Sequence, residues 1–177
     1  IPAKDETGKQ VGTYTIEPTT GKVTFTPNKD FAGTPVPATV EAKDANGTPA
    51  TAKYTPTVKG VTPTATPSET VDIQGAEQSK EVTFTAGKAT VNGEEVEVPM
   101  NNNEYKLLGE DGQPAESVPA KNPAGEVIGT YTLKVVDGKP TAVFTPTNKL
   151  YSGDVKPVTI QGKDTNGTAV TTTYTPR

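Results

Sequence analysis

The chain of 177 residues has no cysteine, no histidine and no tryptophan, one methionine, and a single arginine at its last position, Arg177. Without cysteine there is no disulfide, no thiolate nucleophile and no thiolate ligand for a metal. Without histidine, catalytic triads with a histidine base and histidine-ligated metal sites are excluded. With one arginine, bidentate phosphate recognition is nearly absent. Aromatic residues are 6% and apolar residues 31% of the chain, so any core is lean. No apolar run approaches the roughly 18 residues that a membrane-spanning helix needs. The formal net charge of −4 gives no electrostatic attraction to nucleic acid or anionic lipid. No signal peptide is visible, and the chain opens mid-pattern at Ile1 and stops at Arg177, which reads as a piece of something longer.

What is abundant is threonine, with 32 residues against four serines. A disordered linker favours Ser, Gly and Gln, whereas β-branched Thr suits a pleated, half-wet surface. The seventeen prolines fall mostly at strand ends, where a missing N–H costs little.

The chain repeats itself. Residues 43–57, KDANGTPATAKYTPT, match 163–177, KDTNGTAVTTTYTPR, at nine of fifteen positions. Residues 1–16, IPAKDETGKQVGTYTI, match 118–133, VPAKNPAGEVIGTYTL, at eight of sixteen. The offset grows from 117 to 120 along the motif, with the extra residues around Val135 to Ala142 and at Thr147. Such insertions are what hairpin tips tolerate. The simplest organisation is a repeat of about 120 residues. Residues 1–57 are then the C-terminal half of one repeat and 58–177 a complete one, opened by a Thr/Pro-rich linker over 58–70. The alternative is three modules, 1–57, 71–117 and 118–177.

Local patterns favour strands. Val11 to Ile16 and Lys22 to Thr26 alternate about the turn Glu17 to Gly21, a hairpin signature. Val36 to Lys43 and Thr48 to Thr55 flank Asp44-Ala45-Asn46-Gly47. Val155 to Lys163 and Thr168 to Thr175 flank Asp164-Thr165-Asn166-Gly167 in the same way. Asn-Gly in these places predicts primed hairpin turns. Lys80 to Ala86, Thr90 to Met100 and Glu104 to Leu108 read as further strands, with a tight turn at Asn92-Gly93. Nothing shows a sustained 3.6-residue period with caps. Thr55 to Thr70, TPTVKGVTPTATPSET, reads as an extended, semi-rigid connector.

Chemistry is sparse. Glu94, Glu95 and Glu97 share a strand rather than facing across a cleft as a glycosidase pair does, so they read, with Glu110-Asp111, as a solvated charged edge. Asp-x-Asn-Gly resembles the start of a calcium loop. An EF-hand loop places Glu six residues past the glycine, where this chain has Lys53 and Thr173. Asn46-Gly47-Thr48 and Asn166-Gly167-Thr168 fit a glycosylation acceptor pattern, but hairpin geometry already accounts for them. Tyr14, Tyr54, Tyr131 and Tyr174 recur at equivalent positions, and Phe31 corresponds to Tyr151. Core anchoring explains them better than a binding platform. A lysine side chain can also condense with Asn or Asp into an amide crosslink, and an intact mass lower by about one ammonia or water per bond would reveal it. The sequence therefore assigns no catalytic, metal or cofactor-binding residue, requires no cofactor, and leaves ligand-binding residues unknown; an enzyme is not expected.

The strings VPAKNPAGEVIGTYTL, GKVTFTPNKDFAGTPVPATVEAKDANGTPATAKYTPT and YKLLGEDGQPAESVPA together resemble the CshA-type fibril repeat of Gram-positive, cell-wall-anchored surface adhesins. Each element is weak alone; GTYT, VTFTP, DANGTP and YTPT at set distances are specific in combination. The last copy departs in having KPTAVFTP and TNKLYSGDV, which enlarge loops without breaking strand alternation. The resemblance implies an all-β protein of small sandwich-like modules, antiparallel strands and hairpins arranged end to end and elongated. It implies an extracellular stalk of tandem repeats that projects an adhesive N-terminal region from the cell wall. Its partners are then neighbouring repeats of the same chain, with host or bacterial ligands bound elsewhere in the full protein and neither nucleic acid nor membrane involved. Neither a ligand-binding head nor a sorting motif lies within these residues. The alternative is that the repeats themselves are adhesive and recognise a host matrix protein, a glycan or a neighbouring repeat.

Overall fold

The computed structural model describes residues 1–91 and 93–177. Every described regular element is a strand, and the chain divides into two compact units, Ile1–Gly60 and Val61–Arg177. The turn expected at Asn92-Gly93 involves Asn92, which lies outside the described residues.

In the first unit, β1 (Pro2–Lys4), β2 (Gln10–Ile16) and β3 (Val23–Pro27) form one antiparallel sheet, and β4 (Ala38–Lys43) and β5 (Pro49–Tyr54) a second. The alternation that marked β2 and β3 sets their register, Tyr14 opposite Phe25 and Ile16 opposite Val23. Ala3, Tyr14 and Ala38 are buried together, with Phe25 and Tyr54 packed against them.

The second unit is a fuller sandwich. Its N-terminal part supplies β6 (Thr64–Ala65), β7 (Ser68–Thr70), β8 (Gln78–Glu81), β9 (Phe84–Thr85), β10 (Gly87–Val91), β11 (Glu94–Val98), β12 (Lys106–Leu108) and β13 (Pro114–Ala115). Its C-terminal part supplies β14 (Ser117–Lys121), β15 (Val127–Val136), β16 (Lys139–Pro146), β17 (Val158–Lys163) and β18 (Ala169–Pro176). A five-stranded sheet runs β13-β12-β17-β18-β7 and a four-stranded sheet β14-β15-β16-β8. Both contribute to one core that includes Leu107, Ile160 and Tyr174 from the first and Val118, Tyr131 and Phe144 from the second. The pairs β6–β9 and β10–β11 stand outside these two sheets.

Several local expectations change. The stretch 80–86 divides into β8 and β9, and the strand expected from Thr90 begins earlier, at Gly87, where β10 pairs antiparallel with β11. The Thr/Pro-rich stretch is partly drawn into the fold. Thr64–Ala65 pairs with β9, and Ser68–Thr70 lies parallel to β18, Tyr174 opposite Ser68. The β18 partner lies more than a hundred residues along the chain, so no local pattern announces it. The β7–β18 pairing is also parallel, whereas the other described ladders are antiparallel.

The turn chemistry differs too. A primed two-residue turn needs positive φ at both central residues (type I′) or at the first of them (type II′). At 44–47 and 164–167 only the glycines have it, with φ of 81° at Gly47 and 84° at Gly167. The Asp carbonyl accepts from the Gly N–H at 2.9 Å in each loop, so the turn spans four residues and the glycine exits it. Both positive values occur together at Asp137 (52°) and Gly138 (73°), the two residues joining Val136 and Lys139. There the insertion noted between the copies has become a primed hairpin.

Candidate functional site

The two copies of the repeated motif build the same local structure. Tyr14 Oη donates to Val36 O at 2.8 Å, and Tyr131 Oη donates to Lys156 O at 2.7 Å. Val36 N donates to Lys4 O and Lys156 N to Lys121 O, both at 2.8 Å. Tyr14 meets Tyr54 edge-on at 6.1 Å and 75°, and Tyr131 meets Tyr174 at 6.1 Å and 80°. The ladders β1–β2 and β14–β15 each carry a register shift at equivalent places, Ala3/Lys4 and Ala120/Lys121.

The recurring glycine of Gly-Thr-Tyr-Thr has a steric reason. A Cβ on Gly12 would sit 2.7 Å from the Phe25 ring and 2.5 Å from Thr26 O. On Gly129 it would sit 2.6 Å from the Phe144 ring and 2.7 Å from Thr145 O. Both phenylalanines cross their glycines, so GTYT and the FTP of the next strand form one unit.

The Asp-x-Asn-Gly loops are turns held by their own carboxylates. Asp44 Oδ1 accepts the N–H groups of Asn46 and Thr48, both at 2.9 Å. Asp164 Oδ1 accepts those of Asn166 at 3.0 Å and Thr168 at 2.8 Å. This use of an Asp side chain is a standard Asx-turn role. Among the described residues no group of three acidic, histidine or cysteine side chains converges as a metal site.

The other candidates disperse. Glu94, Glu95 and Glu97 lie exposed on β11, and Glu95 pairs with Lys88 at 3.3 Å. Glu110 pairs with Lys121 at 3.0 Å. The exposed Lys88–Glu95 pair is worth little, about 0–1 kcal/mol. The tyrosines are inside. Tyr131 is 1% and Tyr174 0% exposed, Tyr14 is buried and Tyr54 half-buried. Burial, reinforced by the neighbouring Tyr174, raises the Tyr131 phenol well above its ordinary pKa, and burial raises Tyr174, Tyr105 and Tyr14. A phenol with that environment stays neutral at physiological pH and serves as an anchor.

Two surface features had no signal in the sequence. Val71, Ile73 and Leu150 are all exposed, and Gln74 Nε2 donates to Leu150 O at 2.8 Å, which holds the two segments together. Of these, Ile73 lines a concavity together with Asp72, Tyr151, Gly153 and Arg177. In the first unit, Tyr14, Ile16, Val23, Ala38 and Val40 line an open apolar groove. Single exposed valines and leucines are common enough that only their spatial grouping singles them out.

The sequence profile described as the surface adhesin CshA repetitive domain matches residues 2–58 and again 60–177. No protein in the curated collection searched matches the chain.

Proposed function

The chain belongs to the family of the CshA surface adhesin repetitive domain, and from that premise we propose that it is a spacer: a stalk segment, anchored at the cell wall of a Gram-positive bacterium, that holds an adhesive N-terminal region away from the surface. The observation that carries this reading is the burial of the repeated aromatics. Tyr131, Phe144 and Tyr174 sit in the core, where they stabilise the repeat and present no face to a ligand. Aromatics clustered on the surface would have argued for recognition.

The mechanism is physical. A repeat that closes its own core adds a fixed length, and a connector with few free torsions preserves direction. Gly33 and Val58 exchange two backbone hydrogen bonds, each 2.9 Å, so the first residue of the connector is tied back to the repeat it leaves. The division at Gly60/Val61 supports reading 1–57 as the second half of one repeat and 58–177 as a whole one, with 58–70 as its entry. Neighbouring repeats are the principal partners, and host or bacterial ligands are bound elsewhere in the full protein.

The second reading, repeats that are themselves adhesive, is favoured by the exposed trio Val71, Ile73 and Leu150. Immobilised matrix proteins and glycans, probed with the chain and with a Val71→Asp, Ile73→Asp, Leu150→Asp variant, separate the two. The stalk reading expects no saturable binding by either. Saturable binding lost in the variant would establish the adhesive reading instead.

A further inference from the structure

Residues 1–57 and 118–177 fold alike, so each copy is a template for the other, and their difference in burial is informative. Tyr54 and Val40 are half-buried and Asp44 is exposed, whereas the equivalent Tyr174, Ile160 and Asp164 are 0%, 0% and 1% exposed. Each difference falls where residues 61–117 cover the second copy. Thr70 Oγ1 lies 2.6 Å from Tyr174 Oη, Leu107 pairs opposite Ile160, and Met100 bridges Asp164.

In the second copy, β16, β17 and β18 are each flanked by a strand from that segment: β8, β12 and β7. In the first copy, the equivalent β3, β4 and β5 have no such neighbour among the described sheets. An unpaired edge beside apolar surface is a template for another strand. The groove lies there. Its residues Tyr14, Ile16, Val40 and Ala38 correspond to Tyr131, Leu133, Ile160 and Val158; in the second unit Tyr131, Ile160 and Val158 share one buried core with Leu107, and Leu133 packs against that core.

We propose that residues 1–60 are an acceptor half-domain. Its groove is filled by an extended segment with the chemistry of Glu104–Leu108, carried on a first-half repeat that precedes it in the same polypeptide. Transferring the register of the second unit places the leucine of that segment opposite Val40 and the lysine equivalent to Lys106 opposite Glu41, where the second unit has Gln161. An opposite-charge cross-strand pair favours that register. The same-chain source follows from the connection. The second unit passes from Leu108 to Ser117 through the short β12–β13 hairpin, and closing so short a loop costs little entropy.

This inference rests on the repeat reading of the chain but not on its being a stalk. The test adds residues 61–117 in front of Ile1 of the full chain and follows backbone hydrogen exchange. Exchange across Ala38–Tyr54 is expected to slow about tenfold or more, toward that of Val158–Tyr174. A Leu107→Asp substitution confined to the added segment is expected to abolish the gain. Unchanged exchange across Ala38–Tyr54 in the extended chain would overturn the proposal, as would full protection with the Leu107→Asp segment. Supplying 61–117 as a separate peptide to the unextended chain distinguishes the source. Protection by the separate peptide without protection in the extended chain, or protection accompanied by dimers in sedimentation, contradicts a same-chain donor.

Discussion

Replacing Gly129 by Ala tests whether the Gly-Thr-Tyr-Thr motif exists for the reason given. On generic grounds the change is favourable. Glycine in a strand interior loses more conformational freedom on folding than alanine, and removing it at a tolerant site stabilises by about 0.4–1 kcal/mol. The structure predicts the opposite sign. The new Cβ would sit 2.6 Å from Phe144 Cε2, 2.7 Å from Thr145 O and 3.1 Å from Pro146 Cα. Carbon atoms in good contact are about 3.5–4.0 Å apart, so the ring must retreat by roughly 1 Å. The ring belongs to the packed core, and two of the three crowding atoms are backbone of β16, which is paired on both sides, to β15 and β8. Overpacking of this kind costs about 1–3 kcal/mol. With a urea slope of about 1–3 kcal/mol per molar, the unfolding midpoint should fall by several tenths of a molar to more than 1 M. Urea titration of the full chain, with hydrogen exchange of β15 and β16 to locate the loss, reads it directly. A midpoint that stays or rises would refute the steric account of the motif.

Two other outcomes follow from the same structure. Asp164→Ala removes the acceptor of two backbone N–H groups at a buried position and should cost about 1–3 kcal/mol, while Asp164→Asn, which keeps an acceptor oxygen, should retain most of that stability; equal losses in urea midpoints would contradict the turn role. Burial raises the phenol pKa values of Tyr131 and Tyr174 above the value of about 10 expected in the unfolded chain. The unfolded state therefore releases these protons first, so stability is fully present below about pH 10 and declines above it, by up to about 1.4 kcal/mol per pH unit for each such tyrosine. Urea midpoints that are flat across that range would show the phenols to be accessible.

Much of this architecture was legible in the sequence because its causes are local. The alternation Val11 to Ile16 and Val23 to Phe25 fixes which side chains meet, and β2 pairs with β3 with Tyr14 opposite Phe25. Recurrence of the tyrosines at equivalent spacings marked them as anchors, and three of the four are buried. What stayed hidden depends on distant partners. Ser68–Thr70 looks like connector because its ladder partner, Tyr174–Pro176, lies more than a hundred residues away. The Asn-Gly pairs suggested primed turns, but Asp44 and Asp164 capture two N–H groups each and leave only the glycine left-handed. The groove of the first unit was invisible for another reason. Its residues alternate as core residues should, and only comparison with the second copy shows that Val40 and Tyr54 are less covered than Ile160 and Tyr174.

The spacer role is tested most directly by small-angle scattering from chains of one, two and three complete repeats equivalent to residues 58–177. The account predicts a maximum dimension that grows by a constant increment with each repeat added. A dimension that levels off, or grows only as the square root of copy number as a flexible chain does, would contradict it.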